Sequence, residues 1–322
     1  MNEPMMKASL CTRYGGADAL DVRQTARPKR QPGELLIQVH ASSINPVDWK
    51  ILCGDLRILF GRTPPPILGG DFAGVVLESD PSSGFRPGDC VWGLTEIRKL
   101  RRTPGAHAEV TRCASELVDA MPAQLSFEEA ASLPLVGLTA YQSLVHHAQL
   151  KPGQRVLVNG CSGGVGLIAV QLAKALGATV VGVCSAANQD AARQAGCDEV
   201  IDYRARNLLA EDLTVDVWFD VVGHHSLRAV RHQMARGGVY LNIVKLVSTS
   251  VSSWFNPMRH QTSHAVFVTP SAADLAQLRT LIEQRALHPV IEEVYPLDRI
   301  GAAFERSRSQ RTVGKLVISM VD

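Results

Sequence analysis

RVLVNGCSGGVGLIAVQLAKALG, residues 155–177, is the stretch that decides the fold predicted for this chain. Residues 155–158 form a short, largely apolar run, as expected of a strand that is buried on both faces of a parallel sheet. From Val165 onward the apolar residues recur at steps of three and four, which is the period of one helix face. Gly177 stands where a glycine commonly ends a helix. The stretch therefore predicts a strand, a glycine turn and a helix.

The turn between this strand and this helix carries Gly160, Gly163 and Gly166. Glycines at this spacing allow a tight turn, a close approach of backbone N–H groups to a pyrophosphate, and close packing of the helix on the strand. The helix N-terminus adds a partial positive charge that attracts phosphate. A glycine turn can also be purely structural, so a nucleotide site is predicted only if the surrounding elements fit.

The elements that follow the turn do fit a dinucleotide-binding unit. They are predicted strands at 179–183, 199–203, 215–222 and 238–244 and a predicted helix at 189–195. The order strand, helix, strand, helix, strand is the arrangement in which a glycine-rich turn binds a dinucleotide. A doubly wound parallel sheet of about six strands is the predicted architecture.

The residues after the second strand bear on which dinucleotide binds. A NAD site usually carries an acidic residue about 20 residues beyond the glycines, where it accepts hydrogen bonds from the ribose 2′-hydroxyl. Here that position reads CSAAN, residues 184–188, which contains no carboxylate. Hydroxyl, amide and cationic groups suit a 2′-phosphate, and the candidates are Ser185, Asn188, Tyr203 and Arg204. The pattern favours NADPH, although Arg204 taken singly is equally well explained as a solvated loop charge.

Composition and charge narrow the function classes. A length of 322 residues suggests two domains, and 46% hydrophobic with 20% charged residues is typical of a soluble globular protein. A net charge of +2 argues against a dedicated nucleic-acid binder. The sequence predicts neither a membrane span nor a secretory signal. Seven cysteines without a C-x-x-C pair fit reduced thiols in a cytoplasmic protein, with Cys161 and Cys184 read as small buried residues rather than nucleophiles.

The chain before the glycine turn has a different character. Short apolar runs separated by proline and glycine over roughly the first 120 residues predict a mostly β domain, as in a partly closed barrel. Residues 62–71 include three successive prolines and predict a stiff loop. The basic run Arg98–Arg102 predicts a solvated loop, with anion binding as the alternative. Two helices are expected over 127–150, a further helix at 274–286 and a closing strand at 313–320.

Seven motifs in this order resemble the medium-chain dehydrogenase/reductase superfamily, in its zinc-free quinone oxidoreductase, or zeta-crystallin-like, branch near the chloroplast-envelope quinone oxidoreductase homologues. The motifs are Ser43–Lys50, Leu68–Val76, Phe85–Asp89, Gly105–Glu109, Leu138–Tyr141, Ser162–Gly166 and Gly314–Val317. The resemblance implies an α/β protein in which a GroES-like β-barrel catalytic domain, residues 1–125 and 270–322, holds an inserted Rossmann domain with a doubly wound parallel sheet, residues 126–269.

The resemblance also implies an activity. Members of this branch use NADPH to reduce a quinone or the C=C bond of an α,β-unsaturated carbonyl without zinc, and they are commonly homodimers. A conjugated acceptor needs no metal in principle, because its carbonyl already delocalises the charge that hydride brings. The alternative is an NADPH-binding protein with little or no turnover, since a fold and a cofactor site do not establish chemistry. A zinc alcohol dehydrogenase is disfavoured, because Asn45 stands where that family has its first zinc-ligand cysteine.

Site residues follow from the motifs and from the resemblance. Asn45 and Lys50 are the predicted catalytic contacts; Lys50 takes a position where quinone oxidoreductases often carry a tyrosine, and it is otherwise read as a surface charge. Asp48 is expected to fix its loop or cap a helix. Asp71 is interpreted either as a site residue or as the receiver of a structural hydrogen bond.

The cofactor contacts and the substrate border complete the prediction. Thr139 is expected near the nicotinamide, and His224 is expected near the adenosine half because it follows the carboxyl end of a strand. Aromatic and apolar residues Trp254, Phe255 and Met258 are expected either at the substrate cleft or over a sheet edge. The predicted cofactor-binding residues are Thr139, Ser162, Gly163, Gly164, Val165, Ser185, Asn188, Tyr203, Arg204, Gly223, His224 and Lys315, and no metal ligands are predicted.

Overall fold

The computed structural model of the chain describes residues 4–244 and 260–320. The chain divides into two compact units. Met1–Leu135, Thr269–Glu283 and Pro289–Asp322 form the first unit, and Val136–Val268 with Gln284–His288 form the second. The expectations for Trp254, Phe255 and Met258 fall outside the described residues.

Strands and helices are numbered along the described residues. The strands are β1 (Met5–Cys11), β2 (Leu20–Ala26), β3 (Glu34–Ile44), β4 (Asp71–Glu78), β5 (Cys90–Leu94), β6 (Val110–Ala114), β7 (Val118–Ala120), β8 (Arg155–Asn159), β9 (Thr179–Cys184), β10 (Glu199–Asp202), β11 (Val215–Asp220), β12 (Met234–Asn242), β13 (Thr262–Ala265), β14 (Ile291–Pro296) and β15 (Lys315–Ser319). The α-helices are α1 (Pro46–Cys53), α2 (Arg57–Phe60), α3 (Phe127–Ala131), α4 (Pro134–Tyr141), α5 (Gly164–Ala175), α6 (Gln189–Gln194), α7 (Leu227–Val230), α8 (Ala272–Glu283) and α9 (Ile300–Arg308).

The first unit is built on largely antiparallel sheet, in which only β14 and β15 of the described strands pair in parallel, and it confirms the mostly β prediction. A seven-stranded sheet runs β14-β15-β3-β4-β5-β7, with β6 also paired to β3. Its central strand β3 is buried on both faces over most of its length, and Leu35, Ile37 and Phe72 are fully buried in the core it shares with β4. β1 and β2 form a separate antiparallel pair.

The second unit carries the predicted parallel sheet. Its six strands lie in the order β10-β9-β8-β11-β12-β13, and every neighbouring pair is parallel. The apolar runs of these strands are buried because helices pack on a parallel sheet of this kind. The register pairs Asn159 with Val183 and with Asp220, and Asp202 with Cys184. The carboxyl ends of β8, β9, β10 and β11 therefore meet at one edge, where ligands bind in such sheets.

Residues 155–177 fold as predicted. β8 covers Arg155–Asn159, α5 begins at Gly164, and Gly177 has a φ of +80° just beyond the end of the helix. A left-handed residue at this point is the common way for a helix to stop. The proline-rich loop is also confirmed, since residues 62–70 lie outside helices and strands except for one bridge between Ile67 and Leu10.

Three predictions needed correction in detail. The region 127–150 holds α3, α4 and then a π-helical segment, Gln142–His147, in which the Ala148 N–H donates to the carbonyl of Ser143. β12 begins at Met234, ahead of the predicted start at 238. Arg101 is exposed as expected of a solvated loop, but its guanidinium also donates to the carbonyl of Thr63 at 2.7 Å and so holds the proline-rich loop.

Candidate functional site

The glycine turn presents unoccupied backbone donors at the start of α5. Gly163 is the N-cap residue, and no side chain caps the helix. The backbone N–H groups of the first helical turn have no partner within a helix, so an uncapped start leaves them for solvent or a ligand. A Cβ placed on Gly163 would have Gly160 O as its nearest neighbour, 3.8 Å away. There is room above the turn, as an anion that approaches the backbone requires.

The other glycines of the turn are held by close packing. A Cβ on Gly166 would lie 2.1 Å from Gly160 O and 2.7 Å from the Cα of Cys161, so α5 approaches the end of β8 at backbone distance. Gly160 has a φ of +90°, and its N–H donates to Val183 O at 2.9 Å. These contacts fix the turn in space, and the predicted residues Ser162, Gly163, Gly164 and Val165 all lie on it.

The hydroxyl and amide candidates for a 2′-phosphate lie beside the turn. Asn188 Nδ2 donates to Ser162 Oγ at 3.1 Å, and the Asn188 N–H donates to Ser185 O at 2.9 Å. Ser185 directly follows β9, so the structure brings Ser162, Ser185 and Asn188 together. The position that holds a carboxylate in NAD sites therefore carries the Ser185 hydroxyl and the Asn188 amide, with the Ser162 hydroxyl of the turn beside them.

Tyr203 and Arg204 form a small exposed unit just beyond β10. Tyr203 is 54% exposed, and Arg204 Nε donates to its hydroxyl at 3.4 Å. The Arg204 backbone N–H donates to Asp202 Oδ1 at 2.9 Å. Because Asp202 is in register with Cys184, this cation lies at the same sheet edge as Ser185.

Asp220 organises the next loop and was missed by the sequence analysis. It is fully buried and accepts hydrogen bonds from the Gly223 N–H at 2.8 Å, the His225 N–H at 3.0 Å and Asn159 Nδ2 at 2.9 Å. Tyr240 Oη also donates to it, and burial raises the pKa of that tyrosine, with the Asp220 charge acting in the same direction. A carboxylate at the end of a buried strand was the signal that could have found it. Its role is to fix the loop that carries Gly223 and the exposed His224.

Thr139 lies on α4 and is 4% exposed. The π-helical segment Gln142–His147 follows directly after this helix. Such segments within helices are frequent at functional sites. The nicotinamide contact expected of Thr139 stays a prediction.

The first unit holds a buried cluster of polar side chains around Asp71. Asn45 Nδ2 donates to Asp71 Oδ2 at 2.7 Å, and Lys315 Nζ donates to Asn45 Oδ1 at 2.5 Å. Lys315 Nζ is 3.6 Å from Asp71 Oδ2, and Asn45, Asp71 and Lys315 are 1%, 0% and 6% exposed. The predicted substrate contact Asn45 thus has both ends of its amide engaged by charged neighbours.

Asp71 has further hydrogen bonds that fill its acceptor positions. Ser43 Oγ donates to Oδ2 at 2.5 Å, and the backbone N–H of Leu135 donates to Oδ1 at 2.7 Å. Ser42 Oγ donates to the Asp71 carbonyl at 2.7 Å. Of the two interpretations of Asp71, the contacts show the receiver of structural hydrogen bonds.

Two titratable groups border this cluster. Asp48 Oδ2 accepts from the Asn45 backbone N–H at 2.8 Å, as expected of a residue that fixes the start of α1. Burial raises the pKa of Asp48 to about 7, with the Asp71 charge acting the same way and Lys315 against it. Burial lowers the pKa of His107 to about 4. His107 Nε2 is 3.4 Å from the Ser43 carbonyl, and Nδ1 has no hydrogen-bond partner among the described residues.

Lys50 stands apart from these contacts. It is half-buried on α1, with its ammonium 5.6 Å from the centre of the Trp49 ring. That distance is within the range of a cation–π contact. The structure does not bring its ammonium into the hydrogen bonds of the Asn45 amide.

Within residues 4–244 and 260–320, no group of three or more His, Cys, Asp or Glu side chains is arranged to hold a metal ion. The same part of the chain holds no helix with the length and apolar character that a membrane crossing requires. Cys161 and Cys184 are buried, and hydrogen bonds with the Cys184 and Cys197 thiols, together with burial, raise the pKa of Cys161.

Comparisons with known proteins agree on one relationship. Residues 31–123 match the family model of the alcohol dehydrogenase GroES-like domain, and residues 195–318 match that of the zinc-binding dehydrogenases. The chain is 30% identical over 316 residues to the quinone-oxidoreductase homolog, chloroplastic, of Spinacia oleracea, covering 94% of this chain and 95% of that protein. It is 30% identical over 359 residues to the NAD(P)H oxidoreductase RTN4IP1, mitochondrial, of Bos taurus, covering 98% and 90%.

A solved structure resembles the whole chain. The quinone oxidoreductase from Coxiella burnetii superposes with a TM-score of 0.89 at 28% sequence identity, and the match covers 98% of this chain and 100% of that one. The likeness extends over both units of the chain, so neither unit is an unrelated addition.

Proposed function

Because this chain belongs to the medium-chain dehydrogenase/reductase superfamily, we propose that it is an NADPH-dependent reductase of quinones or of the C=C bond of α,β-unsaturated carbonyls. The coarser activity, oxidoreductase, is the one that the names of its relatives share. The observation that carries the proposal is the glycine-rich start of α5, which no side chain caps, at the carboxyl edge of the parallel sheet.

The residues present fit a nicotinamide dinucleotide. The backbone N–H groups of Gly164 and Val165 would hold the pyrophosphate, with Gly163 beside them, because phosphate binds at helix N-termini where N–H groups and the helix dipole converge. The loop held by Asp220 would place Gly223 and His224 against the adenosine half. When bound, the cofactor supplies the hydride.

The preference for NADPH rests on what stands beside the turn. No carboxylate occupies 184–188, and Ser162, Ser185 and Asn188 offer hydroxyl and amide groups there. Arg204 adds an exposed cation at the same edge. A 2′-phosphate carries two negative charges that a guanidinium binds strongly, whereas a 2′-hydroxyl gains little from it.

The polar cluster of the first unit supports a revised role for Asn45. Its Oδ1 and Nδ2 already contact Lys315 and Asp71, and the side chain is 1% exposed. We therefore assign Asn45 the role of a positioning residue for the start of α1, and we leave Lys50, on the same helix and half-buried, as the proposed polar contact to the substrate. Lys315, predicted as a cofactor contact, joins Asn45 in this positioning role.

The reaction class matches these residues. Hydride added to the β-carbon of an enone, or to a quinone, leaves negative charge on an oxygen that the conjugated system already shares. A protein then needs to orient the acceptor and stabilise that oxygen by hydrogen bonds or a cation. The Lys50 ammonium is the group proposed to do so. Homodimer formation and a cytoplasmic location are part of the proposal, the latter because all seven cysteines are free.

The test is oxidation of NADPH by the purified protein, followed at the nicotinamide absorbance, against alkenals, cyclic enones and quinones. A saturated aldehyde serves as the control acceptor, and NADH is assayed in parallel. We expect turnover of the conjugated acceptors with NADPH preferred. NADPH binding without turnover of any acceptor would contradict the reductase and favour the alternative, a binding protein.

Arg204 gives the matched test of cofactor choice. Arg204→Gln is expected to raise the KM for NADPH about tenfold, the loss of about one charge-assisted hydrogen bond, and to leave the KM for NADH unchanged. Arg206→Gln is the control, because Arg206 pairs with Glu211 instead. Equal effects on NADPH and NADH would show that Arg204 does not contact the 2′-phosphate.

A further inference from the structure

The first unit contains a cavity that shares no residue with the glycine turn or with the Asp71 cluster. Its volume is about 410 Å³, which is the size of a site for a small organic molecule. It is lined by Met6, by Arg112 and by residues within the segments 26–31, 66–67 and 100–104. We propose that this cavity binds a phosphate-bearing organic anion.

The charge of the lining carries the proposal. Five of the lining side chains are cationic, namely Arg27, Lys29, Arg101, Arg102 and Arg112, and no carboxylate lies among the lining residues. Cations gathered around one concave space raise the positive potential there and attract an anion. A phosphate group is the ligand that several arginines bind best, because their planar forks donate two hydrogen bonds at once.

Two of the arginines are held in place by the fold. Arg101 donates to the Thr63 carbonyl at 2.7 Å. Arg112 donates to Glu34 at 2.7 Å and to the Arg102 carbonyl at 2.7 Å. Such contacts orient a guanidinium before a ligand arrives, which lowers the entropy lost on binding. The Glu34 carboxylate also partly neutralises Arg112. The other cations are therefore expected to contribute most of the affinity for the anion.

Arg27 supplies the independent observation. Its Nε is sealed from solvent and has no hydrogen-bond partner among the described residues. A buried polar donor without a partner is costly and uncommon in folded proteins. A phosphate bound beside Arg27 would place negative charge next to this unpaired cationic donor, and the exposed side chain of Arg102, which also belongs to the lining, would bind the same phosphate.

The remaining lining describes the rest of the ligand. Prolines at 28, 66 and 104, which are exposed or half-buried, give the cavity an apolar side, and the buried residues Met6, Ile67 and Leu100 also belong to the lining. A free inorganic anion would leave this side uncovered, so the ligand class is a phosphate ester with a small organic group. The phosphate belongs either to a soluble metabolite or to a lipid headgroup, and the experiment separates the two.

The experiment measures binding of inorganic pyrophosphate and of glycerol 3-phosphate by isothermal titration calorimetry at low salt. We expect the double variant Arg27→Gln, Arg102→Gln to weaken binding at least about tenfold. Arg86→Gln removes an exposed charge of the same unit outside the cavity and is expected to bind like the wild type. The difference between these variants reports on the cavity even where pyrophosphate also binds at the glycine turn.

The remaining arms decide the outcome. Arg102→Gln alone, at an exposed position, keeps the test valid if Arg27→Gln impairs folding. Phosphatidylcholine vesicles with and without phosphatidic acid replace the soluble probes in a sedimentation assay, and binding that depends on Arg102 in that assay alone assigns the lipid headgroup. Equal affinities of wild type, double variant and Arg86→Gln for all of these probes would overturn the proposal.

Discussion

The glycine turn and the Asp71 cluster are two polar sites built in opposite ways. The turn places donors of the main chain within residues 160–166 of one segment, and its side chains are mostly absent. The cluster joins side chains that are 26 positions apart, Asn45 with Asp71, and 270 positions apart, Asn45 with Lys315. A local backbone site can be recognised from a short string, whereas a cluster of this kind exists only after the sheet has formed.

The two sites also differ in what stabilises them. No side chain caps the backbone N–H donors at the start of α5, and a bound anion would accept hydrogen bonds from them. The cluster buries a lysine and a carboxylate, and each charge depends on the other because both have lost their water. Burial lowers the pKa of Lys315, while the charges of Asp71 and Asp48 oppose that effect. Substitutions at the cluster should therefore act on stability, and substitutions at the turn mainly on ligand affinity.

The largest effect is expected for Lys315→Met. Removal of the ammonium leaves Asp71 buried and without its cation, and loss of one member of such a pair typically costs about 3–5 kcal/mol. Urea unfolding followed by fluorescence measures the change in the free energy of unfolding. Lys151→Met, at an exposed lysine, is the control and should stay within about 0.5 kcal/mol of the wild type.

The double variant Asp71→Asn, Lys315→Met sharpens this test. If the cost of the single variant comes from an uncompensated carboxylate, neutralising the carboxylate should recover part of the loss. Simple addition of the two single losses would show that the pair is not coupled. Asp71 and Lys315 would then contribute independently to the free energy of unfolding.

The next largest effect is the pH dependence of stability to which Asp48 contributes. Its folded-state pKa of about 7 lies above the ordinary 3.8, so the folded protein binds this proton more tightly than the unfolded chain. Its contribution to stability is therefore present in full below about pH 4 and is lost as the pH rises towards 7. The wild type should lose about 2–4 kcal/mol relative to Asp48→Asn over this range, measured as unfolding free energies at successive pH values.

The contribution of His107 to stability should change with pH in the opposite direction to that of Asp48, which tests the direction of both predictions. Its folded-state pKa of about 4 lies below the ordinary 6.5, so the unfolded chain binds the proton more tightly. The stability from the neutral ring is present above about pH 6.5 and is lost as the pH falls towards 4. A wild type that loses stability relative to His107→Gln on acidification would agree, and slopes of the same sign for both residues would contradict the assignment.

The smallest effects separate packing from binding within the turn. Gly166→Ala places a Cβ 2.1 Å from Gly160 O, and this clash with backbone should cost up to about 3 kcal/mol of stability. Gly163→Ala meets no atom closer than 3.8 Å, so its stability should fall by no more than about 1 kcal/mol, the preference for glycine over alanine at an N-cap. It should instead weaken NADPH binding about tenfold, roughly 1.4 kcal/mol, because the methyl group occupies the space above the donors.

Both glycine variants need two measurements, urea unfolding and a titration of NADPH by its fluorescence. A Gly163→Ala protein that loses stability and keeps its NADPH affinity would reverse the assignment of the turn. The glycine turn would then contribute to the stability of the fold, as the Asp71 cluster does, and not to NADPH binding.

Prediction from the sequence succeeded where the pattern was local. β8, the turn and α5 were predicted because the apolar periodicity and the glycine spacing that specify them lie in consecutive residues. The π-helical segment Gln142–His147 was not predicted, since its hydrogen-bond spacing leaves no mark in the apolar pattern. Arg101 looked like a loop charge because its acceptor, the Thr63 carbonyl, is distant in the chain.

The predictions for single site residues also depended on whether the relevant neighbours are close in the chain. Ser162, Ser185 and Asn188 were each predicted as cofactor contacts, and the structure brings them close together because consecutive parallel strands end at one edge. The role of Asp220 was missed, because the predicted strand ran on to residue 222 and enclosed Asp220, whereas β11 ends at this residue. Asn45 was read as a substrate contact, since nothing in its neighbourhood along the chain reveals Lys315.

Consecutive residues alone specified the strand, turn and helix order, the glycine spacing of the turn and the lack of a carboxylate at 184–188, because each depends on residues that are close in the chain. The tertiary structure alone decided that Lys315 and Asp71 engage the Asn45 amide and that five cations line one cavity. Hydrogen bonds and charge interactions depend on distance in space, and side chains hundreds of residues apart acquire that distance only when the sheets pair.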